Sequence, residues 1–457
     1  RIMATEHVII GGGPGGMNAI ETIRSYDADA SITLISDEPA YSRMALPYYI
    51  CGNVPAEQVN TADENYFKQL GVKTRLGSRV SEVNPYANTV KLEDGSMVPF
   101  DNLLIATGSS AQKLDIPGAD GEGVYNLWTI EDAHKVVASL GNDTEVVFVG
   151  AGFIGFIILN AMQKLGVRLK VIELENQILP RMLDAQGASL VNSWLESHEI
   201  ETHTGVSVEG IEHGSDGVKT IGLSDGSSTR ADVVIIATGI KPNISFLEGS
   251  GIETNNGVLV NNRCQTNIPN IYAAGDIAEG PEILSGENVV HAIQPTAVDH
   301  GRIAGANMAG QDLTYPGSLS INILDVCGLQ CASFGNWTSN DDVTEVINAN
   351  RPTYRKLIWN GTIISGAIIL GQADDVALLN DMGMIKGLIQ AKTDLGAWKK
   401  HLQANPTDIR RPFVATKTAE KMLSFTALGK ASAHRKYQHN QDSGEKDRSA
   451  HQVFVKS

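Results

Sequence analysis

The stretch VIIGGGPGG, residues 8–16, decides the fold. Small apolar residues lead straight into Gly11, Gly13 and Gly16, which have the spacing G-x-G-x-x-G. In such a turn the first glycine permits a tight bend, the second lets the main chain approach a pyrophosphate, and the third lets the next helix pack closely on the strand. The N–H groups that begin this helix would face the anion. The stretch therefore predicts a dinucleotide-binding βαβ unit, with an ordinary glycine turn as the alternative.

The same spacing recurs further along the chain. Residues 146–149 are apolar and lead into Gly150, Gly152 and Gly155, and two such turns predict two dinucleotides. The apolar strand after this second turn ends at Glu173. A carboxylate there can accept hydrogen bonds from both ribose hydroxyls and would repel a 2′-phosphate. The second site is therefore predicted to bind NAD rather than NADP.

The two halves of the chain follow one scheme. After the first turn, a second apolar strand ends in Ser36-Asp37-Glu38. Its acid therefore lies one or two residues later, relative to the strand, than Glu173 does after the second turn. Residues 72–100 alternate like short antiparallel strands, and the apolar strand DNLLIATG then ends at residue 108. The second unit closes in the same way on DVVIIATG, residues 232–239. Together these patterns predict an α/β fold with two related nucleotide units.

Composition limits the class of protein. A chain of 457 residues with 42% apolar and 19% charged residues is globular and long enough for two or three domains. Its formal charge of −16 argues against nucleic acid as a partner. Four scattered cysteines are too few for a disulfide framework, and neither a run of about 18 apolar residues nor an apolar leader is visible. We therefore expect a cytoplasmic protein with no membrane contact.

Six motifs in a fixed order carry a family resemblance. They are GGGPGG (11–16), YSRMALPYY (41–49), LLIATG (103–108), GAGFIG (150–155), ATGIKPN (237–243) and IYAAGD (271–276). With them the chain resembles the pyridine nucleotide-disulfide oxidoreductase superfamily. Within it, the resemblance is to the branch of NADH-dependent rubredoxin reductases, ferredoxin reductases and the flavin module of NADH nitrite reductases. The resemblance covers about residues 5–405 and implies FAD at the first turn and NADH at the second.

The resemblance also implies a domain organisation. The fold class would be α/β, with two nested Rossmann-like three-layer domains and a small α+β C-terminal domain. The FAD-binding domain would comprise residues 1–115 and 246–315, and the NAD-binding domain residues 116–245. Residues 316–405 would form the C-terminal interface domain, and residues 406–457 a basic tail.

The resemblance further implies which residues contact the two cofactors. A helix that begins at Gln294 would point its N-terminus at the pyrimidine edge of the flavin, where reduction places negative charge. Asp276 would meet the flavin, and capping of the next helix is its alternative role. The residues implied at the FAD site are Gly11, Gly13, Pro14, Gly15, Gly16, Asp37, Glu38, Arg43, Tyr48, Val80, Thr107, Gly108, Asp276, Thr296 and Ala297. Those implied at the NAD site are Gly150, Gly152, Phe153, Ile154, Gly155, Glu173 and Gly239.

Two departures from the family concern redox chemistry. Disulfide reductases of the superfamily carry a cysteine pair after the first unit, which this chain lacks, and the single cysteine of its NADH oxidases falls at Met44. Thiol chemistry at that position is excluded, because a thioether forms neither a sulfenate nor a mixed disulfide. Cys51 is predicted to be a buried, inert thiol. Ferredoxin-reductase relatives pair a lysine near flavin N5 with a glutamate. Here Tyr48 and Ile157 replace both partners, so neither position holds an unpaired buried charge.

The tail and one cysteine pair lie outside the motifs. Residues 412–457 hold eight Lys or Arg against four acids, which marks residues 406–457 as a separate basic module. Its apolar stretch, residues 413–428, predicts an amphipathic helix. The tail is either a solvated extension or a docking arm for a protein partner or an anionic membrane face. The C-G-L-Q-C stretch, residues 327–331, fits a strand better than a metal site, so no metal is expected.

Hydride transfer from a nicotinamide to a flavin needs no side-chain acid or base, so no catalytic residue is predicted. Without a thiol acceptor, the electrons must leave the polypeptide. The prediction is an FAD-dependent NADH:acceptor oxidoreductase whose partner is an iron–sulfur protein, a rubredoxin or a metalloenzyme subunit of the same complex. The alternatives are an NADH oxidase acting on oxygen or a small oxidant, and a structural flavoprotein subunit with a vestigial NAD site. A homodimer and a hetero-complex both stay open.

Overall fold

The computed structural model describes residues 4–422. Its first part is a nucleotide unit in which a glycine turn joins the first strand to the first helix. The elements of this part are β1 (Glu6–Ile10), α1 (Pro14–Tyr26), β2 (Ser31–Ser36), α2 (Leu46–Ile50), α3 (Glu64–Gln69), β3 (Val72–Leu76), β4 (Val80–Asn84), β5 (Thr89–Leu92), β6 (Met97–Pro99), β7 (Asn102–Ile105) and β8 (Ser109–Ala111).

The second part repeats this scheme around the second glycine turn. Its central sheet is parallel, and three antiparallel strands are inserted before the closing strand. The elements are β9 (Val124–Tyr125), α4 (Ile130–Ser139), β10 (Glu145–Val149), α5 (Phe153–Gln163), β11 (Arg168–Glu173), α6 (Ala185–Ser197), β12 (Glu201–Thr204), β13 (Val208–His213), β14 (Lys219–Leu223), β15 (Ser228–Ala231), β16 (Val233–Ile236) and β17 (Ile240–Pro242). The parallel sheet has the order β12-β11-β10-β16-β9.

The chain then returns to the first part. It adds β18 (Val258–Leu259), β19 (Ile271–Ala273), β20 (Ala278–Pro281), β21 (Asn288–Val289) and α7 (Gln294–Met308). The first parallel sheet is thereby completed in the order β19-β7-β1-β2-β3. The prediction for residues 72–100 was wrong in one element: β3 joins this parallel sheet beside β2, and only β4, β5 and β6 form an antiparallel layer. β3 pairs with β2 over five residues, an interaction that strand alternation in the sequence does not reveal.

Two paired strands carry the chain between the nucleotide units. β8 leaves the first unit and β17 returns to it, and they pair antiparallel from Ser109 to Ala111. The central strands of both parallel sheets are buried on both faces, as the apolar runs of β1 and β10 require, whereas the edge strands β3 and β12 are more exposed. The fold prediction of two Rossmann-like units is therefore confirmed.

The C-terminal part is an antiparallel sheet covered on one face by helices. Its elements are β22 (Ile321–Val326), β23 (Leu329–Gly335), β24 (Val343–Asn348), β25 (Thr353–Asn360), β26 (Ile363–Gln372), α8 (Val376–Gln390), α9 (Trp398–Ala404), α10 (Arg410–Ala415) and α11 (Thr418–Met422). The sheet order is β22-β23-β26-β25-β24. One face, including Tyr354 and Ile368, packs with the core of the second nucleotide unit. The other face, including Leu357 and Ile369, packs with α8 and the helices that follow it.

The predicted tail begins inside this packed unit. Ile409 is fully buried in the same core as α8, and Phe413 packs against that core. The helix predicted from residue 413 is instead two short helices, because Lys417 takes a left-handed φ of +52° between them. Residues 423–457, which hold the rest of the predicted tail, lie outside the described residues.

Candidate functional site

The first glycine turn has the geometry that its spacing predicts. Gly11 has φ +107°, and a Cβ there would overlap the carbonyl oxygen of Ala106. A Cβ on Gly16 would overlap the carbonyl oxygen of Gly11. At Gly13 an added Cβ would meet no atom within 4 Å. The first and third glycines thus allow the strand, the turn and the helix to pack closely. At the second glycine the main chain is accessible from the cavity.

A cavity of about 760 Å³ opens at this turn. It lies at the carboxyl ends of β1, β2, β7 and β19, and its volume falls in the usual range of roughly 300–1,000 Å³ for ligand pockets. Three residues of the predicted FAD set, namely Gly16, Tyr48 and Thr296, do not line it. The members of the set that do are Gly11, Gly13, Pro14, Gly15, Asp37, Glu38, Arg43, Val80, Thr107, Gly108, Asp276 and Ala297.

Both acids that follow β2 border the cavity, and each is paired with an arginine. Glu38 accepts hydrogen bonds from Arg43 Nη2 at 2.8 Å and from the hydroxyl of Tyr41 at 2.9 Å. Asp37 accepts one from Arg79 Nη2 at 2.7 Å. The structure therefore brings both predicted carboxylates to the cavity.

Arg43 connects the two nucleotide units at the cavity wall. Its Nη1 donates to the main-chain oxygen of Trp128 at 2.9 Å, and its guanidinium lies 5.2 Å from the centre of the Trp128 ring. The indole Nε1 of Trp128 donates to the main-chain oxygen of Ser109 at 2.7 Å. Trp128 was missed by the sequence reasoning. The available signal was its place directly before the capping box of Thr129 and Asp132, which starts α4.

Asp276 lines the cavity. Its Oδ2 accepts a hydrogen bond from the hydroxyl of Ser109 at 2.7 Å, and burial raises the pKa of the carboxyl. The alternative role as a helix cap was wrong, because Asp276 lies inside a 3-10 turn that leads into β20 and α7 begins much later. The carboxyl is thus a partly buried hydrogen-bonding group that faces the cavity.

The N-terminus of α7 also reaches the cavity, through Gln294 and Ala297. The helix packs against α1 at very short range, because Gly301 offers no Cβ to the carbonyl of Gly15. The side chain of Thr296 is buried away from the cavity. The first turn of α7 therefore borders the cavity, and the contact of its N–H groups with a flavin stays a prediction.

Of the positions that depart from the family, Met44 lies at the cavity and the others do not line it. Met44 lines the cavity and is 47% exposed. Tyr48 is 56% exposed on α2, and Ile157 packs against the core of the second unit. The prediction of a buried Cys51 was wrong: the thiol is partly exposed near the main-chain oxygen of Tyr48, because α2 ends at Ile50.

The second glycine turn repeats the geometry of the first. Gly150 has φ +103°, and an added Cβ would lie 2.5 Å from the carbonyl oxygen of Ala237. Gly152 again has open space, and Gly155 packs on Gly150. Gly239, with φ +127°, follows β16 beside this turn. Phe153 and Ile154 begin α5 and pack against the core of the second unit.

Glu173 ends β11 and lies beside this turn. It is 7% exposed, and its Oε2 accepts the N–H of Ala151 at 2.6 Å. Its Oε1 accepts the N–H of Glu175 at 2.8 Å. The carboxylate is therefore held in one orientation at the strand end where it was predicted.

Cys327 and Cys331 belong to a β-hairpin. Cys327 and Gly328 form its two-residue turn with φ values of +52° and +87°, as in a type I′ turn. Burial raises the pKa of the Cys327 thiol to about 11 and also raises that of Cys331. Within residues 4–422, no group of three or more His, Cys, Asp or Glu is arranged to hold a metal ion.

Comparison with known proteins gives two family matches. Residues 5–301 match the pyridine nucleotide-disulphide oxidoreductase family, and residues 321–390 match the rubredoxin NAD+ reductase C-terminal domain. None of the helices in the described part is long and apolar enough to cross a membrane.

Three similar proteins carry the names of NAD(H)-dependent oxidoreductases. The chain is 30% identical to the NADH-dependent phenylglyoxylate dehydrogenase subunit epsilon of Aromatoleum evansii, over 90% of this chain and 97% of that one. It is 31% identical to an NADH oxidase of Methanocaldococcus jannaschii, over 72% of this chain and 75% of the relative. The structure of an NAD-dependent persulfide reductase from A. fulgidus superposes with a TM-score of 0.79 at 29% identity, covering 85% of this chain and 77% of that chain.

Proposed function

Because the chain belongs to the pyridine nucleotide-disulphide oxidoreductase family, we propose that it is an FAD-dependent NADH:acceptor oxidoreductase that passes electrons to a partner protein. Membership makes it a flavin- and NAD(H)-dependent oxidoreductase, as predicted. The proposed acceptor is an iron–sulfur protein, a rubredoxin or a metalloenzyme subunit of the same complex.

The cavity at the first turn fits FAD. Its open glycine surface at Gly13 and the helix N-termini of α1 and α7 suit the phosphates and the electron-rich edge of a flavin. FAD supplies the hydride acceptor when it is bound. The chain's contribution is to orient it between Arg43 and Asp276, and to place NADH by means of the second turn and Glu173. The predicted residues that line the cavity are our proposed FAD ligands.

The lining of the cavity is the observation that carries the proposal of an external acceptor. Met44 stands there, and none of the lining residues is a cysteine. Electrons accepted from NADH therefore find no thiol in this cavity to reduce. The similarity to a dehydrogenase subunit and to a rubredoxin reductase C-terminal domain supports a protein acceptor.

The test is anaerobic reduction of the purified, flavin-loaded protein by NADH, followed by mixing with the protein that co-purifies from native cells. We expect rapid bleaching of the flavin and its reoxidation by that protein. A chain that contains no flavin, and takes up none when FAD is added, contradicts the proposal.

An NADH oxidase is the second candidate, because the chain is 31% identical to one. The two functions differ in the acceptor that is used fastest. Faster NADH turnover with oxygen than with a one-electron acceptor supports the oxidase. A structural subunit with a vestigial NAD site is disfavoured by the complete second turn and the oriented Glu173.

The wider setting is also a proposal. We keep the cytoplasmic location, since Cys51, Cys264, Cys327 and Cys331 all have free thiols. We retain residues 423–457 as a docking arm for the partner, and assign residues 406–422 to the C-terminal domain, because they pack into its core. The same co-purification decides between a homodimer and a hetero-complex.

A further inference from the structure

We propose that the C-terminal domain sets the affinity of the second site for NAD(H), with Lys356 and Tyr354 as positioning residues. They act on the loop of residues 174–184, which lies between β11 and α6. The inference rests on the proposed function, because it concerns the NADH site named there.

Ala151 of the second glycine turn is hydrogen-bonded both to Glu173 and to the loop. Ala151 is fully buried; its N–H goes to Glu173, and its carbonyl accepts the N–H of Leu179 at 2.9 Å. Leu179 has φ +50°, a left-handed conformation that a leucine keeps only where the surroundings hold it. A change in the conformation of the loop would therefore break a main-chain hydrogen bond of the residue that also holds Glu173.

The other end of the loop is fixed by the C-terminal sheet. Asp184 caps α6 by accepting the N–H of Gly187 at 3.0 Å. Its Oδ2 also accepts the hydroxyl of Tyr354 at 2.9 Å and the ammonium of Lys356 at 3.2 Å. Lys356 is 2% exposed and donates to Asn340 Oδ1 at 2.5 Å. A buried ammonium with two fixed acceptors allows the loop end few other positions.

Apolar packing continues the same connection. Ile178, Leu179 and Leu183 of the loop share one buried core with Tyr354 and Trp337 of the C-terminal domain. A cavity of about 380 Å³ separates the outer side of the loop from Trp337, so that side is not packed as tightly. The hydrogen bonds from Tyr354 and Lys356 to Asp184 are therefore the directional contacts between the C-terminal sheet and the loop, and the experiment removes them.

The next residue of the same strand provides a matched control. Side chains alternate between the faces of a strand, so Arg355 points away from Lys356. Arg355 Nη2 is 2.5 Å from Asp381 of α8, and its Nη1 donates to the main-chain oxygen of Pro406. Arg355 is buried like Lys356. The two ion pairs thus share strand and burial, but only that of Lys356 reaches the loop.

The experiment compares Lys356→Met, Tyr354→Phe and Arg355→Met in the full-length, FAD-loaded protein. Calorimetric titration with NAD+ gives the Kd, and stopped-flow reduction by NADH gives the limiting rate. We expect Lys356→Met to raise the Kd by about 3- to 30-fold, with the limiting rate within about twofold of wild type. Tyr354→Phe should raise the Kd less, and Arg355→Met should leave it unchanged although it also lowers the melting temperature.

Each outcome bears on a different claim. An unchanged Kd in Lys356→Met, or an equal rise in Arg355→Met, overturns the positioning role. If Lys356→Met does not fold, Tyr354→Phe decides alone, and a Kd no higher than that of Arg355→Met overturns the inference. A wild-type protein that neither binds NAD+ nor is reduced by NADH refutes the proposed function instead.

Discussion

The charge of Glu173 should decide between NADH and NADPH. The carboxylate is 7% exposed and is held by the N–H groups of Ala151 and Glu175 at 2.6 and 2.8 Å. Glu173→Gln keeps the shape of the side chain and removes the charge that would face a 2′-phosphate. We therefore expect this variant to lose most of its preference for NADH.

Coulomb's law gives the size of this effect. Two unit charges about 5 Å apart repel by about 3 kcal/mol at an effective dielectric constant of about 20. The ratio of kcat/KM for NADH to that for NADPH should therefore fall by about 100-fold. The glutamine amide still accepts one of the two N–H groups, so the stability loss should be that of one charge-assisted hydrogen bond, about 1.5–3 kcal/mol.

Stopped-flow reduction of the flavin by each nucleotide measures the ratio. Glu175→Gln is the matched control, because it removes the same charge from an exposed side chain two residues further on. Solvent screens that charge, so the ratio should change by no more than about fivefold. Equal use of both nucleotides by the wild type, or equal shifts in both variants, would refute the role assigned to Glu173.

Four further predictions concern the flavin cavity, the thiols, pH and the tail. Gly11→Ala should not fold around FAD, because its Cβ would overlap the main chain, whereas Gly13→Ala should fold and lose only FAD; circular dichroism and flavin absorbance separate the two results. Cys51→Ser should keep NADH-to-dye turnover within about twofold, and a larger loss with FAD still bound would restore a thiol mechanism. Burial lowers the pKa of His300 from 6.5 to about 4, so unfolding takes up a proton between these values. Stability should fall as pH drops through this window, by up to about 3 kcal/mol; urea titrations should show a flatter dependence in His300→Phe, and an identical slope would contradict the assignment. Deleting residues 423–457 should leave dye turnover unchanged and abolish co-purification of the partner, and retained binding would make them a solvated extension.

Local features of the site were predictable from the sequence. The positive φ values of Gly11 and Gly150 follow from glycine spacing after an apolar strand, because the tight turn between strand and helix requires them. Glu173 follows from its place at the end of the next strand. These features belong to a βαβ unit whose short motif specifies its geometry.

Contacts between distant segments were not predictable in this way. Trp128 reaches Ser109, and Asp276 reaches the same serine across 167 residues; no periodicity links such positions. Alignment by motif placed Tyr48 near the flavin, but the direction of a side chain depends on the turn of its helix, and Tyr48 points into solvent. Charge counting placed a boundary at residue 406, although Ile409 is fully buried. Net charge averages over many residues, whereas burial is decided by each one.

The acceptor is the property that motifs could not supply, and the cavity explains why. In the thiol enzymes of the superfamily that the sequence resembles, a redox cysteine stands beside the flavin, so its presence in a motif already says where the electrons go. Here Met44 takes that place, and it is 47% exposed at the cavity lining. On the function that we propose, the acceptor approaches from outside, and its identity depends on the surface around the cavity mouth rather than on any group inside it. The cofactors therefore follow from short, local motifs, whereas the acceptor has to be found by binding experiments with the intact chain.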